Sequence, residues 1–160
     1  MIQNGEPATT FALLDQDGVE HALESFVGKP VVLLFVRGPF CPTTRKSLGA
    51  WQDFSRSVND LGFGMVAISA ASQADLLEFA TQFCIKFPLL SDPGVEVSKS
   101  FGAYINKNRM AGEYAEPGLV LVDAKGRVAY SIFSSGSKGM PDPGAVSSML
   151  IYMSKRGGYY

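Results

Sequence analysis

The sequence contains few of the residues that build disulfide scaffolds and metal centres. It has two cysteines and one histidine in 160 residues. Two cysteines are too few for a disulfide-rich scaffold, and in a reducing compartment such a pair is more often buried or redox-active than structural. The histidine, His21, falls in a predicted turn, where we expect it to be solvated, and no Cys/His/Asp cluster accompanies it. We therefore expect no metal site, and the two thiols become the candidate reactive groups.

Long apolar runs and an excess of positive charge are also absent. The longest purely apolar run is the six-residue stretch Val31–Val36, far below the roughly 20 residues of a membrane-spanning helix. The 14 Lys and Arg residues are balanced by 15 Asp and Glu residues, so no basic surface is expected for a nucleic-acid backbone. The first residues show neither a basic nor an apolar signal region, and we expect a cytoplasmic protein.

The hydrophobic pattern predicts one α/β domain over residues 1–160. Hydrophobic residues make up 46% and charged residues 18% of the chain, a balance typical of a globular domain with an ordinary core. Apolar runs of the kind found in buried strands occur at Val31–Val36 and Met65–Ser69. The spacing near 3.6 predicts helices after Pro42, after Ser72 and after Asp142-Pro143. Ser72, with an acidic residue three positions later, is typical of a helix N-terminus.

Two hairpins complete the predicted order of elements. Phe11–Leu14 and Val19–His21 flank a turn that contains Gly18, and residues 118–123 and 127–133 flank a loop that contains Gly126. Because a strand–helix–strand unit is parallel and a hairpin antiparallel, the sheet should be mixed, with helices on both faces. The order β, α, β, α, β, β, α is that of a thioredoxin-like fold with an extra N-terminal β-hairpin.

Cys41 falls where the first buried strand gives way to a helix. Pro42 suits the first helical position, so Cys41 lies at or next to the N-cap, where free N–H groups favour a thiolate. Arg37 and Arg45 can add positive charge, and the Thr44 hydroxyl can donate a hydrogen bond to the sulfur. The expected effect is a lowered thiol pKa. The alternative is that Cys41 is an unreactive small residue in a loop.

Several segments, in order along nearly the whole chain, resemble those of a known family. The segments are Gly5–Ala8, Phe11–Gly18, Val31–Val36 continuing into Arg-Gly-Pro-Phe-Cys-Pro, Phe87–Pro93 and Leu119–Gly126. They are similar to the peroxiredoxin-like members of the alkyl hydroperoxide reductase and thiol-specific antioxidant family.

This resemblance implies a thiol peroxidase without metal, flavin or haem. Cys41 occupies the family's peroxidatic position, where a thiolate attacks a hydroperoxide and becomes a sulfenic acid. The implied partners are a hydroperoxide substrate and a thiol reductant such as a thioredoxin or glutathione system. Members of the family often pair, so a homodimer is a further expectation.

Three positions depart from the family pattern. The threonine three residues before the peroxidatic cysteine is replaced by Gly38, and the proline seven residues before it by Leu34. The second active-site arginine of the family is replaced by Pro117. The arginines that can substitute for it are Arg37, Arg45 and Arg109.

Pro117 and Cys84 each have two interpretations. In thioredoxin-like oxidoreductases the position of Pro117 carries a cis proline that faces the reactive cysteine; the alternative is a trans proline entering a strand. Some relatives carry their resolving cysteine in the helix that contains Cys84. Yet Cys84 shares a predicted apolar face with Leu76 and Ala80, where a free cysteine behaves as a small hydrophobe.

Three functions therefore remain open from the sequence. The first is a thiol-dependent peroxidase that uses Cys41. The second is a thiol–disulfide oxidoreductase that forms mixed disulfides through Cys41, as the Cys-Pro-Thr-Thr spacing and Pro117 suggest. The third is a binding protein with a redox fold and an unreactive Cys41.

Overall fold

The computed structural model describes residues 2–160, which form nine strands and four α-helices. The strands are β1 (Ala12–Leu14), β2 (Glu20–Ala22), β3 (Val31–Phe35), β4 (Gly64–Ser69), β5 (Leu89–Ser91), β6 (Ile105–Asn108), β7 (Gly112–Ala115), β8 (Gly118–Val122) and β9 (Val128–Phe133). The helices are α1 (Pro42–Asp60), α2 (Gln73–Phe83), α3 (Glu96–Phe101) and α4 (Pro143–Lys155). A short 3-10 turn, Leu23–Phe26, joins β2 to β3.

A five-stranded mixed sheet in the order β5-β4-β3-β8-β9 forms the centre of the fold. Strand β3 is its middle strand, parallel to β4 and antiparallel to β8. All five residues of β3 are fully buried, because packed elements cover both faces of the sheet. This arrangement confirms the predicted central strand and the thioredoxin-like topology.

Alternate residues of β3 contribute to two separate cores. Val32 and Leu34 pack with the apolar residues of α1, α2 and α4 on one face, while Leu33 and Phe35 pack on the other face with the N-terminal hairpin and α3. The period-two alternation of a strand places neighbouring side chains on opposite faces. Strand β3 is thus held from both sides, and the position of its C-terminal end, which leads to Cys41, is well defined.

The predicted helix starts are confirmed. Cys41 is the N-cap of α1, with Pro42 at the first helical position. Ser72 Oγ accepts a hydrogen bond of 3.2 Å from the Asp75 N–H at the start of α2, and Asp142 Oδ1 accepts one of 2.7 Å from Gly144 N–H at the start of α4. No helix within residues 2–160 combines the length and the apolar character needed to cross a membrane.

The N-terminal hairpin is also confirmed, but His21 is half-buried and not solvated, contrary to the expectation. Asp15 Oδ1 accepts hydrogen bonds from the backbone N–H groups of Asp17 and Val19, and Gly18 has φ of 78°. His21 lies in β2, the second strand of the predicted hairpin, and its Nε2 is 2.7 Å from Asp15 Oδ2. The histidine therefore helps to hold the turn of the hairpin.

A second small hairpin, β6–β7, was not predicted from the sequence. Its register pairs Asn106 with Tyr114 and Ile105 with Ala115. Strand β6 reads Ile-Asn-Lys-Asn, which lacks the alternation of a half-buried strand. The hairpin matters because its second strand leads directly into Glu116, next to the end of β3.

The double-sided burial of β3 makes a stability prediction. Replacing Leu33, which is fully buried, by alanine should lower the free energy of unfolding by about 3 kcal/mol because it leaves a cavity between sheet and hairpin. Leu14→Ala is the matched control: Leu14 is 44% exposed, so its loss should cost about 0.5 kcal/mol or less. Urea unfolding measures both, and equal losses would contradict the assigned core.

Candidate active site

Cys41 lies at the junction of β3 and α1, as the sequence predicted. Cys41 is 4% exposed, and its backbone N–H donates a hydrogen bond of 3.1 Å to the Gly38 carbonyl. That bond closes the tight turn formed by residues 38–41, between the strand end and the helix. The sulfur is therefore held over the first turn of α1.

The surroundings of the sulfur favour its ionised form. Burial raises the pKa of the Cys41 thiol. This effect is outweighed by groups that lower the pKa, which are the Thr44 N–H, the Arg37 guanidinium, and the N–H and hydroxyl of Thr43. The net pKa therefore lies below that of an ordinary cysteine. The sulfur makes no formal capping hydrogen bond. The amide groups of the first turn therefore act on its charge, as expected at a helix N-terminus.

The side chains of Thr44 and Arg45 are hydrogen-bonded to the loop before α1 and not to the sulfur, so the predicted Thr44 hydrogen bond is absent. The Thr44 hydroxyl accepts a hydrogen bond of 3.4 Å from Gly38 N–H, and the Thr43 hydroxyl is among the groups that lower the pKa of the Cys41 thiol. Arg45 is exposed; its Nε donates to the Pro39 carbonyl at 3.0 Å. Side chains of the first helical turn thus stabilise the preceding loop, and Arg45 makes no contact with the thiol.

Arg37 is the arginine that reaches the sulfur. Its Nη1 lies 3.8 Å from Cys41 Sγ, a long hydrogen bond to sulfur. Its Nη2 donates to the Tyr114 hydroxyl at 2.8 Å and to Glu116 Oε1 at 3.2 Å. Its Nε forms an ion pair of 3.0 Å with Glu116 Oε2, at an angle outside that of a hydrogen bond. Arg109, the remaining candidate, is exposed in the turn between β6 and β7.

Two aromatic rings flank the Arg37 guanidinium. Its carbon Cζ lies 4.8 Å from the centre of the Tyr114 ring and 5.9 Å from that of Phe40. The two rings contact each other edge to face, with centres 5.1 Å apart. Rings of this kind attract a cation and limit its access to water. The charge that faces the thiol is therefore partly shielded from solvent.

Gly38 has a backbone conformation that a threonine would not adopt readily. Its φ is 140°, and a Cβ at this position would lie 3.3 Å from the Phe40 ring and 3.4 Å from Ser69 Oγ. The departure from the family pattern therefore extends to the backbone. The hydroxyl that is missing here has no replacement at the same position.

Pro117 does not have the predicted cis peptide bond. The Glu116–Pro117 bond is trans, and Pro117 precedes β8 as the alternative interpretation had it. A proline restricts the residue before it to an extended backbone. The residue so restricted is Glu116, which is 2% exposed and pairs with Arg37. Its sequence signal, a lone acidic residue between a strand and a proline, was not recognised.

The prediction that Cys84 can lie on the buried face of α2 is wrong. Neither cysteine is in a disulfide; Cys84 is exposed, whereas Cys41 is buried. It is the residue just after the last helical residue, Phe83, and has a left-handed backbone with φ of 55° and ψ of 41°. The Arg45 guanidinium lies 5.5 Å from the centre of the Phe83 ring. The end of α2 therefore contacts the first turns of α1, near Cys41.

Metal ligands are not assembled around either thiol. Within residues 2–160, no group of three or more His, Cys, Asp or Glu side chains is placed to hold a metal ion.

Fold and site together define the class of protein. The central mixed sheet has thioredoxin-like topology, and a buried thiol lies at the start of the helix that follows the middle strand. These features define a thiol protein of thioredoxin-like fold. Residues 4–131 match the AhpC/TSA family. The chain belongs to this family, as the resemblance had indicated.

Among curated proteins, the chain is similar to plant peroxiredoxins. It is 32% identical over 129 residues to the chloroplastic peroxiredoxin Q of Triticum aestivum, a match that covers 81% of this chain and 58% of the wheat protein. The match to the chloroplastic peroxiredoxin Q of Oryza sativa subsp. japonica is 34% identical over 101 residues and covers 63% of this chain and 46% of the rice protein. The chain thus spans about half the length of these relatives.

Solved structures show the same fold at low sequence identity. Reduced Prx3 of Vibrio vulnificus, crystallised in complex with hydrogen peroxide, superposes with a TM-score of 0.83 at 21% identity, covering 94% of this chain and 99% of the other. Peroxidoxin BcpB of Mycobacterium tuberculosis superposes with a TM-score of 0.79 at 21% identity, covering 98% of both chains. These matches support the thioredoxin-like fold.

The contact between Arg37 and the sulfur makes a prediction about reactivity. In a Cys84→Ser background, Arg37→Ala should raise the pKa of the Cys41 thiol and slow its alkylation at pH 7 by roughly tenfold, because the thiolate loses its nearest cation. Iodoacetamide labelling as a function of pH measures both. Arg56→Ala, at an exposed site on α1, is the matched control. Equal profiles for the two variants would contradict the contact.

Proposed function

We propose that the protein is a thiol peroxidase in which Cys41 is the peroxidatic residue. The observation that carries the proposal is the placement of a buried sulfur at the N-terminus of α1 with Arg37 Nη1 3.8 Å away. A thiolate is the nucleophile in peroxide reduction, and both features favour the thiolate. Membership of the AhpC/TSA family supports the same activity.

The proposed chemistry needs only the thiolate and a cation. The Cys41 thiolate attacks one peroxide oxygen; an S–O bond forms, the O–O bond breaks, and the other oxygen leaves as hydroxide or alkoxide. The sulfur is oxidised to a sulfenic acid, and the leaving oxygen takes a proton from water to give water or an alcohol. Arg37 favours this step because negative charge moves from the sulfur to the leaving oxygen within its reach.

The substrate class is hydrogen peroxide or an organic hydroperoxide. A groove beside the site is lined by Arg37, Phe40, Ala71, Met110 and Tyr114, among others. Its walls also carry Ser72 and the Asp75 carboxylate, and its apolar part can accommodate the organic part of a hydroperoxide. A cytoplasmic location and a homodimer stay predictions.

Cys84 is the proposed resolving thiol. Its sulfur would attack the Cys41 sulfenic acid, forming a disulfide and releasing water, and an external thiol such as thioredoxin or glutathione would reduce that disulfide by exchange. Two observations support this role: Cys84 is exposed, and the end of α2 contacts α1 through Arg45 and Phe83. The left-handed backbone of Cys84 is unfavourable for a residue with a side chain, so the last turn of α2 is a suitable place to open.

The two other functions are less well supported. The hypothesis of a thiol–disulfide oxidoreductase drew on the Cys-Pro-Thr-Thr spacing and on a cis Pro117, and the Pro117 bond is trans. A binding protein with an inert thiol does not require a guanidinium and helix N–H groups around the sulfur, which lower its pKa.

Oxidation by peroxide tests the proposal directly. One equivalent of hydrogen peroxide added to the reduced wild-type protein, with a sulfenic-acid trap present, should give an adduct within seconds, read by intact mass. Cys41→Ser should give no adduct, while Cys84→Ser serves as the matched control for loss of a thiol. Oxidation of the wild type as slow as that of a free cysteine would refute the peroxidase.

The role of Cys84 has a separate outcome in the same measurement without the trap. Wild type should lose two hydrogens as the disulfide forms, and Cys84→Ser should instead accumulate sulfenic and then sulfinic acid at Cys41. Peptide mapping under non-reducing conditions identifies the pair. An oxidised wild type that shows the same products as Cys84→Ser would exclude a resolving role while leaving the peroxidase intact.

A further inference from the structure

The two edges of the Arg37 guanidinium face different partners. Nε and Nη2 both face the Glu116 carboxylate, at 3.0 Å and 3.2 Å, and Nη2 also donates to Tyr114 Oη at 2.8 Å. Nη1 alone faces Cys41 Sγ, at 3.8 Å. A guanidinium is planar and rigid, so a carboxylate that binds its Nε–Nη2 edge determines the direction of Nη1. That direction is toward the sulfur.

The side chain and the backbone of Glu116 are both held in place. Asn106 Nδ2 donates to Glu116 Oε1 at 3.2 Å, and the Glu116 N–H donates to the Tyr104 carbonyl at 2.7 Å. Pro117 restricts the Glu116 backbone from the other side. The open end of hairpin β6–β7, where β6 begins and β7 ends, therefore determines the position of the buried Glu116 side chain.

We propose that Glu116 is a positioning residue, which orients Arg37 toward the Cys41 sulfur and makes hairpin β6–β7 part of the support of the active site. Glu116 makes no contact with the sulfur and acts through Arg37. Tyr114 and Asn106 assist, since one holds the guanidinium and the other the carboxylate. The inference rests on the proposed function for its effect on peroxide reduction, but the state of the thiol tests it without peroxide.

The charge of Glu116 makes the proposal falsifiable, because position and charge predict opposite effects. If Glu116 acted only as a nearby negative charge, removing it would favour the thiolate and lower the thiol pKa. If it orients Arg37, removing it releases the guanidinium toward solvent, and the thiol pKa rises. The sign of the change therefore separates the two roles.

The experiment compares Glu116→Ala and Glu116→Gln with wild type, all in a Cys84→Ser background. The pH dependence of iodoacetamide labelling reports the thiol, and stopped-flow oxidation by hydrogen peroxide reports the reaction. Glu116→Ala should raise the thiol pKa and slow oxidation by about tenfold. Glu116→Gln keeps the shape and one acceptor oxygen, and should fall between alanine and wild type. Glu113→Gln, an exposed residue of β7, is the matched control and should behave as wild type.

A double-mutant cycle completes the test. Because Glu116 acts through Arg37, Glu116→Ala should have no further effect on labelling or oxidation when added to Arg37→Ala. A thiol pKa that stays unchanged or falls in a folded Glu116 variant overturns the proposal, as does a full additional loss in the double variant. If Glu116→Ala does not fold, Glu116→Gln decides by the same sign. A wild type that resists peroxide would refute the proposed function, while the labelling result would still decide the role of Glu116.

Discussion

The buried ion pair between Arg37 and Glu116 is the interaction on which the site depends. An ionised carboxylate with 2% exposure is stable only if a cation and further hydrogen bonds compensate for its lost hydration. Arg37 supplies the cation, and Arg37 Nη2 and Asn106 Nδ2 donate the hydrogen bonds to Glu116 Oε1. The same arginine is the cation nearest the thiol, so one pair links the end of β3, the hairpin β6–β7 and the start of α1. The electrostatics of Cys41 therefore depend on residues distant in sequence.

Local patterns were sufficient to predict the part of the site that comes from consecutive residues. The apolar run before Arg37, Pro42 at the start of a helix and the spacing of Leu48 and Trp51 each reflect backbone geometry within a few residues. They placed Cys41 at a helix N-terminus between a strand and a helix, and the structure agrees. The main sheet and the helix starts were predictable for the same reason.

The remaining features depend on contacts that no short segment encodes. Hairpin β6–β7 has a polar first strand, and its position next to Arg37 brings Tyr114 into the site from 77 residues away. Glu116 became recognisable only through its burial, and the isomer of Pro117 is set by the surrounding fold. Cys84 was placed on an apolar face because the helical period was continued one residue too far. The helix ends at Phe83, and the next residue turns outward.

Gly38, one of the departures from the family pattern, shapes the connection between the end of β3 and α1. Gly38 has φ of 140°, a left-handed conformation that allows the chain to turn sharply between the end of β3 and α1. Across this turn, Arg37 reaches the sulfur of Cys41, four residues later. A threonine at position 38 would supply the usual hydroxyl but would strain this backbone and crowd the Phe40 ring. Position 117 carries a proline, and the arginine beside the thiol comes from the end of β3, where Glu116 is its ion-pair partner.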